Sequence, residues 1–128
     1  MVKRILGVAL AGALALTVAG AVPAMAKDGD IERRGSCSGS TDWKMKLSPE
    51  DGGIEVEYEV DSNVVGQTWR VKISQNGERI FRGRRQTQGA SGSFSVRVVA
   101  NDTAGTDSFR GKAVNPDTGE VCRGTASI

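Results

Sequence analysis

The chain has 128 residues, with 17 lysines and arginines against 15 aspartates and glutamates, two cysteines and no histidine. This length allows one domain, and the missing histidine excludes Ser-His-Asp and Cys-His catalysis together with histidine-based metal sites. Lys3 and Arg4 are two of the 17 cations, so the remaining 15 balance the 15 acids; attraction to nucleic acid or membrane cannot rest on overall charge, only on a segregated patch.

In chain order, the first element is an export signal. Lys3 and Arg4 form a positive n-region, Ile5 to Val22 an apolar stretch rich in Ala and Gly, and Ala24-Met25-Ala26 an A-x-A cleavage site. The reading is a signal peptide over 1–26, with the mature chain starting at Lys27. The other reading of the same stretch is an uncleaved anchor, since it is nearly long enough to span a bilayer. No lipobox cysteine, twin-arginine pair or C-terminal sorting tail accompanies it, so release without stable membrane insertion is expected. Residues 27–35, KDGDIERRG, are charged and lack periodicity, and read as a flexible leader.

From residue 36 onward the parity is informative. Cys37, Trp43, Met45 and Leu47 fall on odd positions with Lys44 and Lys46 between them, which reads as a first strand. Ser48 to Gly53 is a turn rich in breakers. Ile54, Val56, Tyr58 and Val60 then alternate with Glu55, Glu57 and Glu59 in the most regular strand of the chain. Residues 67–85, QTWRVKISQNGERIFRGRR, form two alternating runs hinged on Asn76-Gly77, a hairpin signal because a type I′ turn needs φ > 0 at both central residues. Trp69, Val71 and Ile73 face inward. In the second arm Ile80 and Phe81 cannot both do so, and Phe81 with Gly83 is assigned inward. Residues 86–92 read as a polar flexible loop. Phe94, Val96 and Val98 alternate in a fifth strand, Phe109, Gly111 and Ala113 in a sixth, and Cys122, Gly124, Ala126 and Ile128 in a seventh. No helix-period segment follows the signal. About seven antiparallel strands spaced by turn signals predict an all-β sandwich or barrel over 36–128.

In an oxidising compartment Cys37 and Cys122 are expected to pair; two free buried thiols are the alternative. The remaining chemistry is sparse. Glu50-Asp51 and Asp117 with Glu120 are paired carboxylates, but they sit in turns where such residues are ordinary, without the D-x-D-x-D-G spacing of a calcium loop. The glycines make no phosphate-cradling motif. Asn101-Asp102-Thr103 is a glycosylation sequon, relevant only in a eukaryotic source. No catalysis, metal or cofactor is expected, and Trp43 and Trp69 share the parity of core positions and are read as packing residues.

The seven strands, the tryptophan on the third, and the run Asp107-Ser108-Phe109-Arg110-Gly111-Lys112-Ala113-Val114-Asn115 resemble an immunoglobulin-like or fibronectin-type-III-like sandwich, whose sixth strand typically reads D-x-Y-x-C-x-A-x-N. Two positions depart from that pattern: Phe109 stands in place of the corner tyrosine, and Gly111 in place of the second intersheet cysteine. The resemblance implies that the disulfide joins the first and last strands, neighbours in such sandwiches. The chain also resembles small exported proteins common in actinobacteria.

The resemblance further implies two unlike outer faces. One shows Glu55, Glu57 and Glu59 flanked by Lys44, Lys46 and Arg97 and can pair internally. The other shows Arg70, Lys72, Arg82, Arg84, Arg110, Lys112 and Arg123 with almost no acids. Outward arginines also serve solubility and blunt aggregation. As a binding face they suit phosphate-bearing or carboxylated polymers such as wall teichoic acids or acidic polysaccharides; nucleic acid is not expected, because no exposed aromatics interleave them. The function expected is a secreted, monomeric, non-catalytic binding or structural module of the cell exterior, with an anionic envelope polymer or an extracellular protein as partner. Two alternatives stand beside it. One is an inhibitor of a hydrolase presenting residues 115–119; separately, Thr68-Trp69-Arg70 resembles the Trp-Arg tip of secreted amylase inhibitors, from which it departs in that the tryptophan lies inside a strand pattern and the second disulfide is missing. The other is a small-ligand carrier resembling exported antibiotic-binding apoproteins.

Overall fold

The computed structural model describes residues 29–128; the expected signal peptide, its cleavage point and the start at Lys27 lie outside the described residues. The described chain is all-β, with eight strands: β1 (Ile31–Ser36), β2 (Asp42–Glu50), β3 (Gly53–Asp61), β4 (Thr68–Gln75), β5 (Glu78–Gln86), β6 (Ser93–Asn101), β7 (Ser108–Val114) and β8 (Val121–Ser127). They form two four-stranded antiparallel sheets, ordered β1-β2-β3-β6 and β5-β4-β7-β8, packed as a sandwich. The core and both cysteines fall within this span.

Alternation places the core where the parity predicts. Met45, Leu47, Val56, Tyr58 and Val60 from one sheet meet Trp69, Val71, Ile73, Phe109, Ala113 and Cys122 from the other, all at 1% exposure or less. Trp69 is completely enclosed, and its indole N–H donates to Gln67 Oε1 at 3.2 Å. Removing 150 to 250 Å² of such a ring from water is worth about 4 to 6 kcal/mol of transfer free energy. Both tryptophans are therefore core residues, and Trp69 is not displayed at a tip.

The two sheets approach closely over glycine. A Cβ on Gly111 would lie 2.8 Å from the Tyr58 ring and one on Gly124 2.6 Å from the Trp43 ring. Gly111 and Gly124 are lateral partners on β7 and β8, so together they form a floor that receives two aromatic rings from the facing sheet.

Four expectations are corrected. Residues 27–35 are not simply a leader: Ile31 to Ser36 form β1, paired with β2 from Ile31↔Leu47 to Ser36↔Asp42, so the domain begins before residue 36 and has eight strands rather than seven. The strand escapes a hydrophobic-pattern reading because its inward positions are Ile31, Arg33 and Gly35, only one of them apolar. Residues 48–50 continue β2 instead of turning; Pro49 is tolerated because β1 pairs with β2 no further than Leu47, leaving that edge without a donor requirement. Residues 86–92 are not a free loop throughout: Gln86 ends β5, Gln88 bridges Ser93, and Thr87 is fully buried, its hydroxyl donating to Val64 O at 2.6 Å and accepting from Gln67 N–H at 2.8 Å. Finally, the choice between Ile80 and Phe81 is removed by a bulge. Ile73 faces Phe81 while Ser74 faces Arg79, so Ile80 is an extra residue and both side chains pack against the core.

The hairpin at Asn76-Gly77 has the expected geometry, with φ of 51° and 86°. Its tip is also held from outside: Ser108 N–H donates to Asn76 Oδ1 at 2.9 Å, and Asn76 N–H donates to Ser108 O at 2.8 Å. The disulfide between Cys37 and Cys122 is formed, with Cα atoms 4.3 Å apart. It joins the β1–β2 loop, rather than the first strand as expected, to the last strand β8.

Candidate anion-binding face

The outward positions of β5-β4-β7-β8 assemble the expected cations on one surface. Register fixes their arrangement. Lys72 lies opposite Arg82 on one side and Lys112 on the other, and Lys112 lies opposite Arg123. Arg82, Lys72, Lys112 and Arg123 are thus a continuous row across all four strands, about 14 Å long at the usual strand spacing of about 4.8 Å. The neighbouring rows are not continuous. Arg84 and Arg70 are followed by Val114 and Val121, and on the other side Arg79 and Arg110 alternate with Ser74 and Thr125.

Arg79 is a member that strict alternation misses. Counting back from Phe81 in steps of two puts it inward, whereas the bulge at Ile80 turns it out beside Ser74. The signal was present in the sequence as two adjacent large apolar residues, Ile80 and Phe81. Arg85 goes the other way: its guanidinium sits 5.0 Å from the centroid of the Phe81 ring, and it donates to Arg84 O at 2.8 Å.

Among the described residues, none of the eight cations on this face is in an ion pair. The one acid in these four strands, Glu78, lies opposite Gln75, off the outward parity. The opposite face of the sandwich behaves differently. Lys44 pairs with Glu59 at 3.2 Å, and Glu57 is held between Lys46 at 3.8 Å and Arg97 at 3.2 Å. Arg34 pairs with Glu32 at 2.6 Å. One sheet therefore pairs most of its cations with its own acids, and the other leaves its cations open to solvent.

Two shallow hollows lie on the basic face, one of about 790 Å³ rimmed by Arg70, Arg79, Arg82 and Arg84, the other of about 450 Å³ rimmed by Arg79, Arg110 and Arg123. Lys72 and Lys112 border both. No aromatic ring lines either hollow. This surface offers guanidinium and ammonium donors, the Ser74 and Thr125 hydroxyls and no carboxylate, which is chemistry for holding anions and not for moving protons.

The other candidate groups have structural roles. Glu120 accepts from Gly39 N–H and Thr41 N–H, each at 2.9 Å, and from the Thr41 hydroxyl at 2.7 Å, so it clamps the β1–β2 loop beside the disulfide. Asn115 Oδ1 accepts from Asp117 N–H at 2.9 Å and Thr118 N–H at 3.3 Å, fixing the turn at 115–119. Asp107 is fully buried and accepts from Thr103, through both hydroxyl and N–H, from Gln75 and from Asn76. These bonds, led by the Thr103 hydroxyl, hold its carboxyl below the usual carboxylate range against the opposing effect of burial. No cluster of three or more metal-ligating side chains occurs among the described residues, and no helix there is long and apolar enough to cross a membrane.

Comparison of the chain with protein-family models, with curated proteins and with solved structures found no match.

Proposed function

We propose that the protein is an exported, non-catalytic binding module of the cell exterior, of immunoglobulin-like type, whose basic sheet docks on anionic envelope polymers. The observation that carries this reading is the contrast between the two sheets: eight outward cations without ion-pair partners on one, against paired lysines, arginines and glutamates on the other. Solubility alone is served equally well by the mixed face. Export is supported by the disulfide, which persists in oxidising compartments.

The test is cosedimentation of the span Lys27 to Ile128 with the host's purified envelope at low and high salt. Binding is expected at low salt and lost at high salt, where exposed charges are screened. The variant carrying Arg70→Gln, Lys72→Gln, Arg110→Gln and Lys112→Gln is expected to melt like the parent and to stay in the supernatant. Retained binding by that variant would overturn the reading.

A second reading is favoured by the turn at 115–119. Its Asn115-centred bonds make it a rigid projection, which suits a hydrolase inhibitor that inserts a loop. Salt-insensitive inhibition of a secreted hydrolase, lost on replacing Pro116 and Asp117, would select it.

A further inference from the structure

Resting on the basic face as a binding surface, we infer that its ligand is a linear phosphate-bearing polymer laid perpendicular to the strands, along the row Arg82, Lys72, Lys112, Arg123. Among the three rows of outward positions described above, this one alone is cationic on every strand; its neighbours are interrupted by Val114 and Val121, or by Ser74 and Thr125. An extended polyanion laid along either neighbouring row would meet neutral side chains on two of the four strands.

The row also has a cost that the fold does not require. Like charges directly opposite one another on neighbouring strands destabilise a sheet, and here three successive lateral pairs are alike. Occupation by anions removes that repulsion, so binding and folding are coupled. Phosphate suits the spacing better than carboxylate. Its oxygens diverge tetrahedrally and can bridge cations on adjacent strands about 4.8 Å apart, whereas a carboxylate has only two oxygens held in one plane; the guanidinium forks of Arg82 and Arg123 take either anion. With no ring in either hollow to stack a base or a sugar, recognition falls on the charged chain itself.

The probe is inorganic polyphosphate, compared with tripolyphosphate and with polygalacturonate, binding being read by titration calorimetry across a salt series. Long-chain polyphosphate is expected to bind more tightly than tripolyphosphate and than polygalacturonate, and to raise the melting temperature. Log affinity should fall against log salt with a slope of about −3, the value for four neutralised phosphates on a flexible single chain. Lys72→Gln with Lys112→Gln should reduce that slope to about −1.5 and weaken binding at least tenfold more than Arg70→Gln with Arg84→Gln, an equal charge change off the row. Equal losses from the two pairs would overturn the row while leaving the basic face standing. Equal or tighter binding of polygalacturonate would overturn the phosphate assignment. If the parent binds neither polymer at low salt, the face itself is not a polyanion site and both readings fall.

Discussion

Tyr58 on β3 and Cys122 on β8 are joined across the sandwich: the phenol donates to the Cys122 carbonyl at 3.1 Å, while the ring covers Gly111. The one tyrosine of the chain thus ties the sheet of paired charges to the sheet of open ones, next to the disulfide. Burial pushes its phenol well above the ordinary range. In the folded state it stays neutral where an unfolded phenol, with pKa about 10, ionises. Its contribution to stability is therefore complete below about pH 10 and is lost as pH rises beyond it. Tyr58→Phe is expected to lower stability at neutral pH by about 0.5 to 1.5 kcal/mol and to flatten the alkaline arm of the stability profile. Because there is a single tyrosine, phenolate absorbance reports it alone; titration near pH 10 in the native protein would contradict this account.

Gly111→Ala and Gly124→Ala each place a methyl group inside the contact distance of an aromatic ring. Overpacking of this kind costs about 1 to 3 kcal/mol. Denaturant midpoints should show it, with Gly77→Ala as a contrast: its added Cβ meets nothing within 4 Å, so only its φ of +86° is penalised.

Asp107 acts at the acid end. Its carboxyl is held below the ordinary range by donors from Thr103, Gln75 and Asn76. That stabilisation is present above the unfolded pKa of about 3.9 and is lost as pH falls through the lower folded value. Asp107→Asn should lower stability near neutral pH and remove part of the decline below pH about 4, so the parent and variant profiles converge in acid. Profiles that stay parallel would show that Asp107 does not titrate in that window.

The disulfide closes a loop with a sequence separation of 85 residues. In the chain-entropy description this is worth about 4 to 5 kcal/mol. Reduction, or Cys37→Ser with Cys122→Ser, should lower the denaturation free energy by about 2 to 5 kcal/mol and free the Glu120 clamp at Gly39 and Thr41. An unchanged midpoint would show that the packed sheets alone set stability.

Lys72→Gln is expected to leave the fold as stable or to raise stability by a few tenths of a kcal/mol at low salt, since it relieves repulsion from Arg82 and Lys112. Glu57→Gln should do the reverse by up to about 1 kcal/mol, through loss of its contacts to Lys46 and Arg97. Thermal melts in low and high salt separate the two cases.

Alternation carried most of this architecture into the sequence. Trp69 to Ile73 and Phe109 to Ala113 each bury one parity, as does Ile54 to Val60 except that Glu57, held between Lys46 and Arg97, is also covered, and period-two patterning survives wherever one face is wet. It failed at two edge strands for two reasons. In β1 the inward positions at Arg33 and Gly35 carry no hydrophobic mark, because Gly35 leaves room for the Trp43 ring instead of filling space itself. In β5 the bulge shifts the parity at Ile80, which hid Arg79 from the basic face. The alignment of the cation row was hidden for a third reason: it depends on how β7 registers against β4, a relation between residues 34 or more positions apart that no local pattern encodes.

The separation of charge between the sheets makes the molecule a strong electrical dipole although the span from Lys27 onward carries equal numbers of cations and anions. On an anionic support it will settle in one orientation, arginines down, with the glutamate-striped sheet turned to the medium. A cation exchanger should retain it near neutral pH, where a protein of the same titration but scattered charges would pass through. Coverage by such a layer would exchange a uniformly negative surface for one of alternating sign.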